Sequence, residues 1–397
     1  MARIQTLFVV LKLVERCNLA CTYCYYYAPG NDDVASRPSL MGEQRLAQVV
    51  EYLETAVTQA SISNLVIVLH GGEPTLAKPS AVANFLANAR AALKSRVGTL
   101  RFALQTNGVF LPPAWTELIE REWIEVSISL DGNRETNDAA RVDHRGKGSY
   151  DRVEASIRLL RGLADAGRIA EFGVISVMGS AFKGLSTYRH LVGALGIRRI
   201  KLLFVDHTHD TLKSSRAELQ GLGDSLCDIF DHWLLNDSER VEVNLFTETV
   251  RRMLAESRRV QRSNSELTLG IAILSDGTVR IADEYMVASS WYAKQQRHSI
   301  MDSRFIDWAG QPMVQSISQA TVHPPRACSG CPHIDSCSGG DVPHRYSDTS
   351  AFDRSSSYCA ALMRLHDHVA ARLAECAVQL PAAAAALVTR RLRAAEP

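Results

Sequence analysis

Six short apolar runs, separated by amphipathic stretches, constrain the fold of this 397-residue chain more than any other feature. They are LFVVLKL (7–13), LVIVL (65–69), RFALQT (101–106), IEVSISL (124–130), EFGVISVM (171–178) and RIKLLFV (199–205). Val, Ile and Leu fall on both faces of each extended run, as in strands buried on both sides. Helical patterns near 42–60, 79–95, 113–121, 150–165, 184–195 and 215–234 lie between and after them. Repeated β/α units imply a parallel sheet with helices outside it, an α/β fold. The pattern alone leaves a doubly wound sheet and a partial parallel barrel both open. In a parallel barrel the chemistry sits at the C-terminal ends of the strands.

Charge is nearly balanced at +1, and no Lys/Arg block stands out, so no nucleic-acid partner is expected. No apolar stretch is long enough to span a bilayer, so no membrane partner is expected either. The N-terminal MARIQTLFVVLKL lacks a small-residue cleavage site and leads straight into a cysteine cluster, unlike a signal peptide. Nine cysteines in a chain this long do not make a disulfide scaffold. Seven fall into two ligand-like groups, leaving Cys227 and Cys376 to pack in helical patterns. The expected setting is a reducing cytoplasm.

The first group, Cys17, Cys21 and Cys24, stands in ERCNLACTYCYYY as C-x3-C-x2-C with Tyr23 before the third cysteine. Three thiolates hold three irons of a [4Fe–4S] cluster and leave the fourth iron open to chelate a small molecule. A structural zinc would need a fourth ligand, and no His or Cys closely follows Cys24. Short polar motifs then recur at strand ends. His70-Gly71-Gly72-Glu73-Pro74 follows the second run, with glycines that permit close backbone approach and a Glu that accepts from an ammonium. Gln105-Thr106-Asn107-Gly108 closes the third run and Ser129-Leu130-Asp131-Gly132 the fourth. Each residue taken singly also suits a turn or a helix cap.

Taken together and in order, these motifs resemble the radical SAM enzymes. The resemblance implies a partial (β/α)6 barrel, a [4Fe–4S] cluster on Cys17, Cys21 and Cys24, and S-adenosylmethionine (SAM) on the open iron. It assigns His70, Gly71, Gly72 and Glu73 to the methionine amino group, and Gln105, Asn107, Ser129 and Asp131 to the strand-end cofactor site. Ser129 and Asp131 resemble the ribose contacts. Arg141 resembles the arginine that pairs with the SAM carboxylate, with Arg145 as its competitor. Tyr23 is placed near the adenine, or else packs as ordinary core.

The second group, Cys328, Cys331, Cys337 and Cys359, reads C-x2-C-x5-C…C. Four thiolates saturate a [4Fe–4S] cluster or bind a zinc ion. The segment resembles the SPASM extension of peptide-modifying radical SAM enzymes. Asp341 and Ala282 stand where fuller patterns carry cysteines, so one auxiliary [4Fe–4S] cluster is implied beside the SAM cluster. LTLGIAILSDGTVRIADEYM reads as a hairpin turning at Asp276-Gly277. Asp283, just after it, keeps the position of an aspartate that serves as base in related enzymes; a solvated hairpin residue is the plainer reading. CSGGDVPHRYS and FDRSSSYC resemble the cyclophane-forming branch, with Ser338 in place of a glycine and Arg354-Ser355 in place of an Asn-Pro pair.

The implied domains are a radical SAM partial barrel over 1–240, a linker over 241–267, a SPASM-like auxiliary-cluster domain over 268–365 and a helical tail over 366–397. The implied activity is that of a peptide maturase. It abstracts a β-hydrogen from a ribosomally made precursor peptide and forms a carbon–carbon crosslink to an aromatic side chain. Its partners are then a precursor peptide with a leader and an electron donor such as ferredoxin or flavodoxin. Asp206, in the loop VDHTHD after the sixth run, is a second candidate catalytic residue; that loop also suits peptide binding, simple solvation or a metal. Thioether formation, epimerisation and a non-catalytic iron–sulfur or zinc scaffold are the rival readings.

Overall fold

Alternating burial along each strand sorts its side chains onto two faces. In the computed structural model, which describes residues 3–27, 32–254 and 266–378, the elements follow the expected β/α order. They run β1 (Arg3–Val14), α1 (Glu43–Gln59), β2 (Asn64–Gly71), α2 (Pro79–Leu93), β3 (Thr99–Thr106), α3 (Pro113–Glu122), β4 (Glu125–Ser129), α4 (Arg134–Asp138) and α5 (Tyr150–Asp165). There follow β5 (Gly173–Met178), α6 (Leu185–Arg189), β6 (Arg199–Phe204), α7 (Arg216–Asn236), β7 (Glu242–Val243), α8 (Asn244–Leu254), β8 (Glu266–Ile273) and β9 (Val279–Ile281). Leu7, Val9, Leu11, Leu65, Ile67, Leu69, Leu104, Ile128 and Val174 point to the outer face and are fully buried. The inner face is more polar: Lys12 lies beside His70, Gln105 beside Ser127, and Ser129 two residues further along β4.

One sheet of nine strands runs β7-β6-β5-β4-β3-β2-β1-β8-β9, parallel throughout except for the antiparallel β8–β9 pair. Among the described residues the sheet is open, with β7 and β9 as its two ends.

Secondary structure runs across two of the expected boundaries. The hairpin does turn at Asp276-Gly277, where Gly277 takes φ +87° and Thr278 N–H donates to Asp276 Oδ1 at 2.9 Å. Yet β8 pairs with β1 over Arg3–Leu11 against Glu266–Ile273, so the chain after 267 extends the first sheet rather than starting a separate unit. The proposed linker likewise holds β7, paired to β6, and α8; residues 255–265 lie outside those described. The proposed tail boundary at 366 falls inside the helix Cys359–Val378. That helix packs against α7 at Gly223, where a Cβ would meet Arg364 Cβ at 2.8 Å and the Ala361 carbonyl oxygen at 3.0 Å. The tail beyond 378 lies outside the described residues.

Candidate active site

The end of β1 leads directly into the first cysteine group, and the end of β2 holds that loop in place. Gly72 N–H donates to the Val14 carbonyl at 2.8 Å, and Glu73 N–H to the Arg16 carbonyl at 2.9 Å. A Cβ on Gly71 would lie 2.2 Å from the Val14 oxygen, and one on Gly72 would lie 2.4 Å from the Arg16 oxygen. These glycines therefore serve a backbone-to-backbone approach within the protein. Glu73 is equally committed: Oε1 accepts from Thr75 N, Thr75 Oγ1 and Thr106 Oγ1 at 3.0, 2.7 and 2.7 Å, and Oε2 from Asn107 N at 2.7 Å. Burial pushes its carboxyl up while these donors oppose the shift.

Cys17, Cys21 and Cys24 carry free, half-buried thiols. Asn107 braces this loop through Nδ2, which donates to Asn18 Oδ1 at 2.7 Å and approaches Cys17 Sγ at 3.5 Å. His144 joins the Cys17 carbonyl at 2.9 Å. Burial pushes the Cys17 thiol up to about 11, and burial also raises Cys21, against the charge of Arg141. A cationic cluster would reverse that balance by binding thiolates.

Tyr23 does more than fill space. Its hydroxyl donates to Asp131 Oδ2 at 2.7 Å and accepts from Arg141 Nη1 at 2.8 Å. Asp131 Oδ1 accepts Val177 N–H at 3.0 Å. Arg141 is 6% exposed, and its Nε is buried without a hydrogen-bond partner. The expected competitor, Arg145, lies exposed on the neighbouring turn. A guanidinium whose charge bears on the Cys21 thiol and whose Nε–H is unpartnered fits an anionic ligand at the cysteine loop, and the residues present fit the cluster and SAM. Gln105 and Ser129 remain partly open on the inner face.

His70 points to the same face, but its Nδ1 is occupied by Lys12 Nζ at 3.1 Å. Burial and then the Lys12 charge push His70 well below its ordinary range. Lys12 is fully buried, ion-paired with Asp283, and set 3.9 Å above the Tyr26 ring. Asp283 is 3% exposed, so it is no solvated hairpin residue. Its Oδ2 meets Lys12 without an aligned hydrogen bond, and its Oδ1 has no hydrogen-bond partner.

Asp206 lies 3.6 Å from Nε2 of the buried His344. The rest of its loop joins the two halves of the chain. His209 N–H donates to the Tyr346 carbonyl at 3.0 Å, and its ring meets the Ser355 carbonyl at 2.8 Å. Asp210 accepts Asp348 N–H at 2.9 Å, and the His207 carbonyl accepts Ser357 Oγ–H at 3.0 Å. Among the described residues no group of His, Cys, Asp or Glu side chains is set to hold a single metal ion, here or elsewhere.

Cys328, Cys331, Cys337 and Cys359 line one cavity together with His333, His366 and Met363. Four thiols around one cavity suit a zinc ion or an iron–sulfur cluster alike. Arg345 braces the loop that carries them. Its guanidinium donates to the carbonyls of Ala320, Ser338 and Gly340 at 2.8, 2.7 and 2.6 Å. Ser338, the residue in the glycine position, takes φ +53°.

Several residues here escaped sequence reasoning: Lys12, Tyr25, Lys201, Glu284 and His344. Glu284 is reached by water yet surrounded by protein. Burial first, then Asp206, Asp341 and Asp283, push its carboxyl up to about 7 against the pull of Lys201. Burial and the carboxylates of Asp283, Asp206 and Glu284 raise Tyr25. A lysine inside the apolar run LFVVLKL was the one available signal.

Residues 11–166 match the model of the Radical SAM superfamily. The chain thus carries a radical SAM domain whose parallel sheet begins with the cysteine-bearing β1 end. It is 25% identical over 401 residues to a serine-type anaerobic sulfatase-maturating enzyme of Bacteroides thetaiotaomicron, covering 92% of this chain and 90% of that protein. It is 32% identical over 158 residues to the mycofactocin maturase MftC of Mycolicibacterium smegmatis, covering 39% of this chain and 34% of the relative. Its fold is shared with native anSMEcpe solved with bound AdoMet and a Cp18Cys peptide. There the TM-score is 0.75 at 20% identity, over 92% of this chain and 97% of that one.

Proposed function

We propose that this chain is a radical SAM peptide maturase that joins a side-chain β-carbon to an aromatic ring in a ribosomal precursor peptide. The observation that carries this reading is Asp283: a buried carboxylate, fixed by an ion pair, with one oxygen unfilled. Crosslinking to a ring needs a base for the displaced ring proton, and an unfilled, positioned acceptor is suited to that task. The relatives that are maturases support the wider class. The strings PHRYS and FDRSSSYC, packed against the Asp206 loop, support the cyclophane branch.

Cys17, Cys21 and Cys24 would hold the SAM-binding cluster, which supplies one-electron cleavage of SAM to a 5′-deoxyadenosyl radical. Arg141 would pair with the SAM carboxylate through the N–H that has no partner in the protein. Asp131, held by Tyr23 and Val177, presents its carboxylate at the end of β4 toward the ribose. Gly71, Gly72 and Glu73 fix the loop, and backbone groups of that loop meet the methionine end. Cys328, Cys331, Cys337 and Cys359 would hold an auxiliary cluster able to take up an electron. Asp283 accepts the ring proton.

The test uses a synthetic peptide with an aromatic residue near its C-terminus, deuterated at β-carbons or on aromatic rings. The β-label should enter 5′-deoxyadenosine, the ring label should pass to solvent, and each crosslink should remove two hydrogens. Label transfer only from an α-carbon, with mass unchanged after exchange is accounted for, would defeat the crosslinking reading in favour of epimerisation. The near full-length relative favours one second reading, maturation of a sulfatase. A sulfatase-derived peptide bearing Ser or Cys, oxidised without any linkage to a ring, would establish it.

A further inference from the structure

A lysine with no exposed surface is rare in a strand, because burying an ammonium costs several kcal/mol unless it is paired. Lys12 sits near the end of β1, on the inner face, among Val10, Ala272 and the aromatic Tyr26. Its ammonium meets three neighbours: the Asp283 carboxylate as an ion pair, His70 Nδ1 at 3.1 Å, and the face of the Tyr26 ring at 3.9 Å. The elements that bring these together are far apart in sequence: β1, the end of β2, and the turn after β9. β1 is the central contact, since it pairs with both β2 and β8. Nothing in stability requires a charge at this point; an apolar pair of similar volume in such a place is often as stable or more so.

We propose that Lys12 is a positioning residue for the Asp283 base: its ion pair holds that carboxylate in place with Oδ1 left unfilled, while His70 Nδ1 anchors the ammonium from the other side. This inference rests on the reading of Asp283 as base. The division of labour follows from the donors and acceptors. Asp283 Oδ2 is taken by Lys12, and Oδ1 has no partner in the protein. A neutral imidazole offers Nδ1 as an acceptor only while its own proton sits on Nε2, so the Lys12 contact also fixes the His70 tautomer. When Asp283 accepts a proton from a substrate ring, the C–H bonding electrons stay with the ring. The proton then rests on Asp283, which becomes a neutral carboxyl beside an unchanged Lys12 ammonium, until it passes to solvent. Lys12 touches neither substrate nor cofactor in this scheme and acts through Asp283.

The experiment compares full-length, cluster-reconstituted wild type with K12M, K12R, D283N and K12M/D283N. The first readout needs no peptide: infrared difference spectra at neutral pH. K12M should show a protonated-carboxyl band that D283N removes, and wild type and K12R should lack it. The second readout is crosslinked product per 5′-deoxyadenosine formed, using the same synthetic aromatic peptide. K12M should lose roughly 10²-fold, the scale of a positioned base. K12R should lose less, and K12M/D283N should be no worse than D283N alone. If K12M is too unstable to isolate, K12M/D283N should recover soluble yield, because no buried charge is then left unpaired. Absence of the carboxyl band in K12M, losses that multiply in the double variant, or a double variant as unstable as K12M would each overturn the proposal. A band that appears as expected while D283N crosslinks at the wild-type rate would instead sink the assignment of Asp283 as base and leave the Lys12–Asp283 coupling standing.

Discussion

Gly72→Ala should loosen the cysteine loop. A Cβ at this position would lie 2.0 Å from Tyr27 Oη and 2.4 Å from the Arg16 carbonyl oxygen. The Tyr27 side chain is 39% exposed and can swing aside. The Arg16 carbonyl cannot, because it accepts Glu73 N–H at 2.9 Å and leads straight into Cys17. Moving it apart breaks that bond and strains the Gly72–Val14 bond at 2.8 Å. Two backbone hydrogen bonds contribute about 1 kcal/mol each, and overpacking costs about 1–3 kcal/mol. The expected loss is about 3–5 kcal/mol, a large share of the stability of a typical domain. Gly179→Ala is the control, since a Cβ there meets nothing within 4 Å. Urea unfolding of the metal-free chain and iron bound per chain after reconstitution are the assays. Gly72→Ala should lower the urea midpoint and lose iron, while Gly179→Ala changes neither. Equal midpoints and equal iron in the two variants would refute the argument that this glycine serves backbone packing.

Ser338→Gly should stabilise the chain by about 1 kcal/mol, because the left-handed conformation at φ +53° costs an L-residue about 1–2 kcal/mol and glycine little; an unchanged or lowered urea midpoint would contradict it. Crowding by protein and neighbouring carboxylates pushes the exposed Glu284 carboxyl up from 4.5 to about 7 in the folded chain. The folded state then binds the proton more tightly, so stability should fall as pH rises from about 4.5 to about 7, and Glu284→Gln should flatten that fall. A difference between the two pH profiles of opposite sign would refute it. Replacing Cys328, Cys331, Cys337 and Cys359 with Ala should take bound iron from roughly eight to roughly four per chain; zinc at these cysteines in the wild type would refute the auxiliary cluster.

Much of the fold was legible because buried parallel strands announce themselves: all six apolar runs became β1 to β6 in order. The hairpin turn was legible from Asp276-Gly277 alone. Its placement was not, since pairing of β8 with β1 joins residues some 260 positions apart through backbone bonds that leave little trace in side-chain pattern. β7, two residues long, was too short to show a period. In the site, cysteine spacing pointed to both thiol groups, and Arg141 was separated from Arg145 only by burial. The glycines of the His70–Pro74 motif were read as ligand-facing, yet the contact that demands them is the Val14 and Arg16 backbone. Lys12 shows why such roles escape: its meaning depends on Asp283 and His70, which only folding brings within reach.

The most direct test of the central claim is reductive SAM cleavage by the variant with Cys17, Cys21 and Cys24 all replaced by Ala. In that variant 5′-deoxyadenosine formation should be abolished while iron at Cys328, Cys331, Cys337 and Cys359 is retained. SAM cleavage by that variant at the wild-type rate would contradict it.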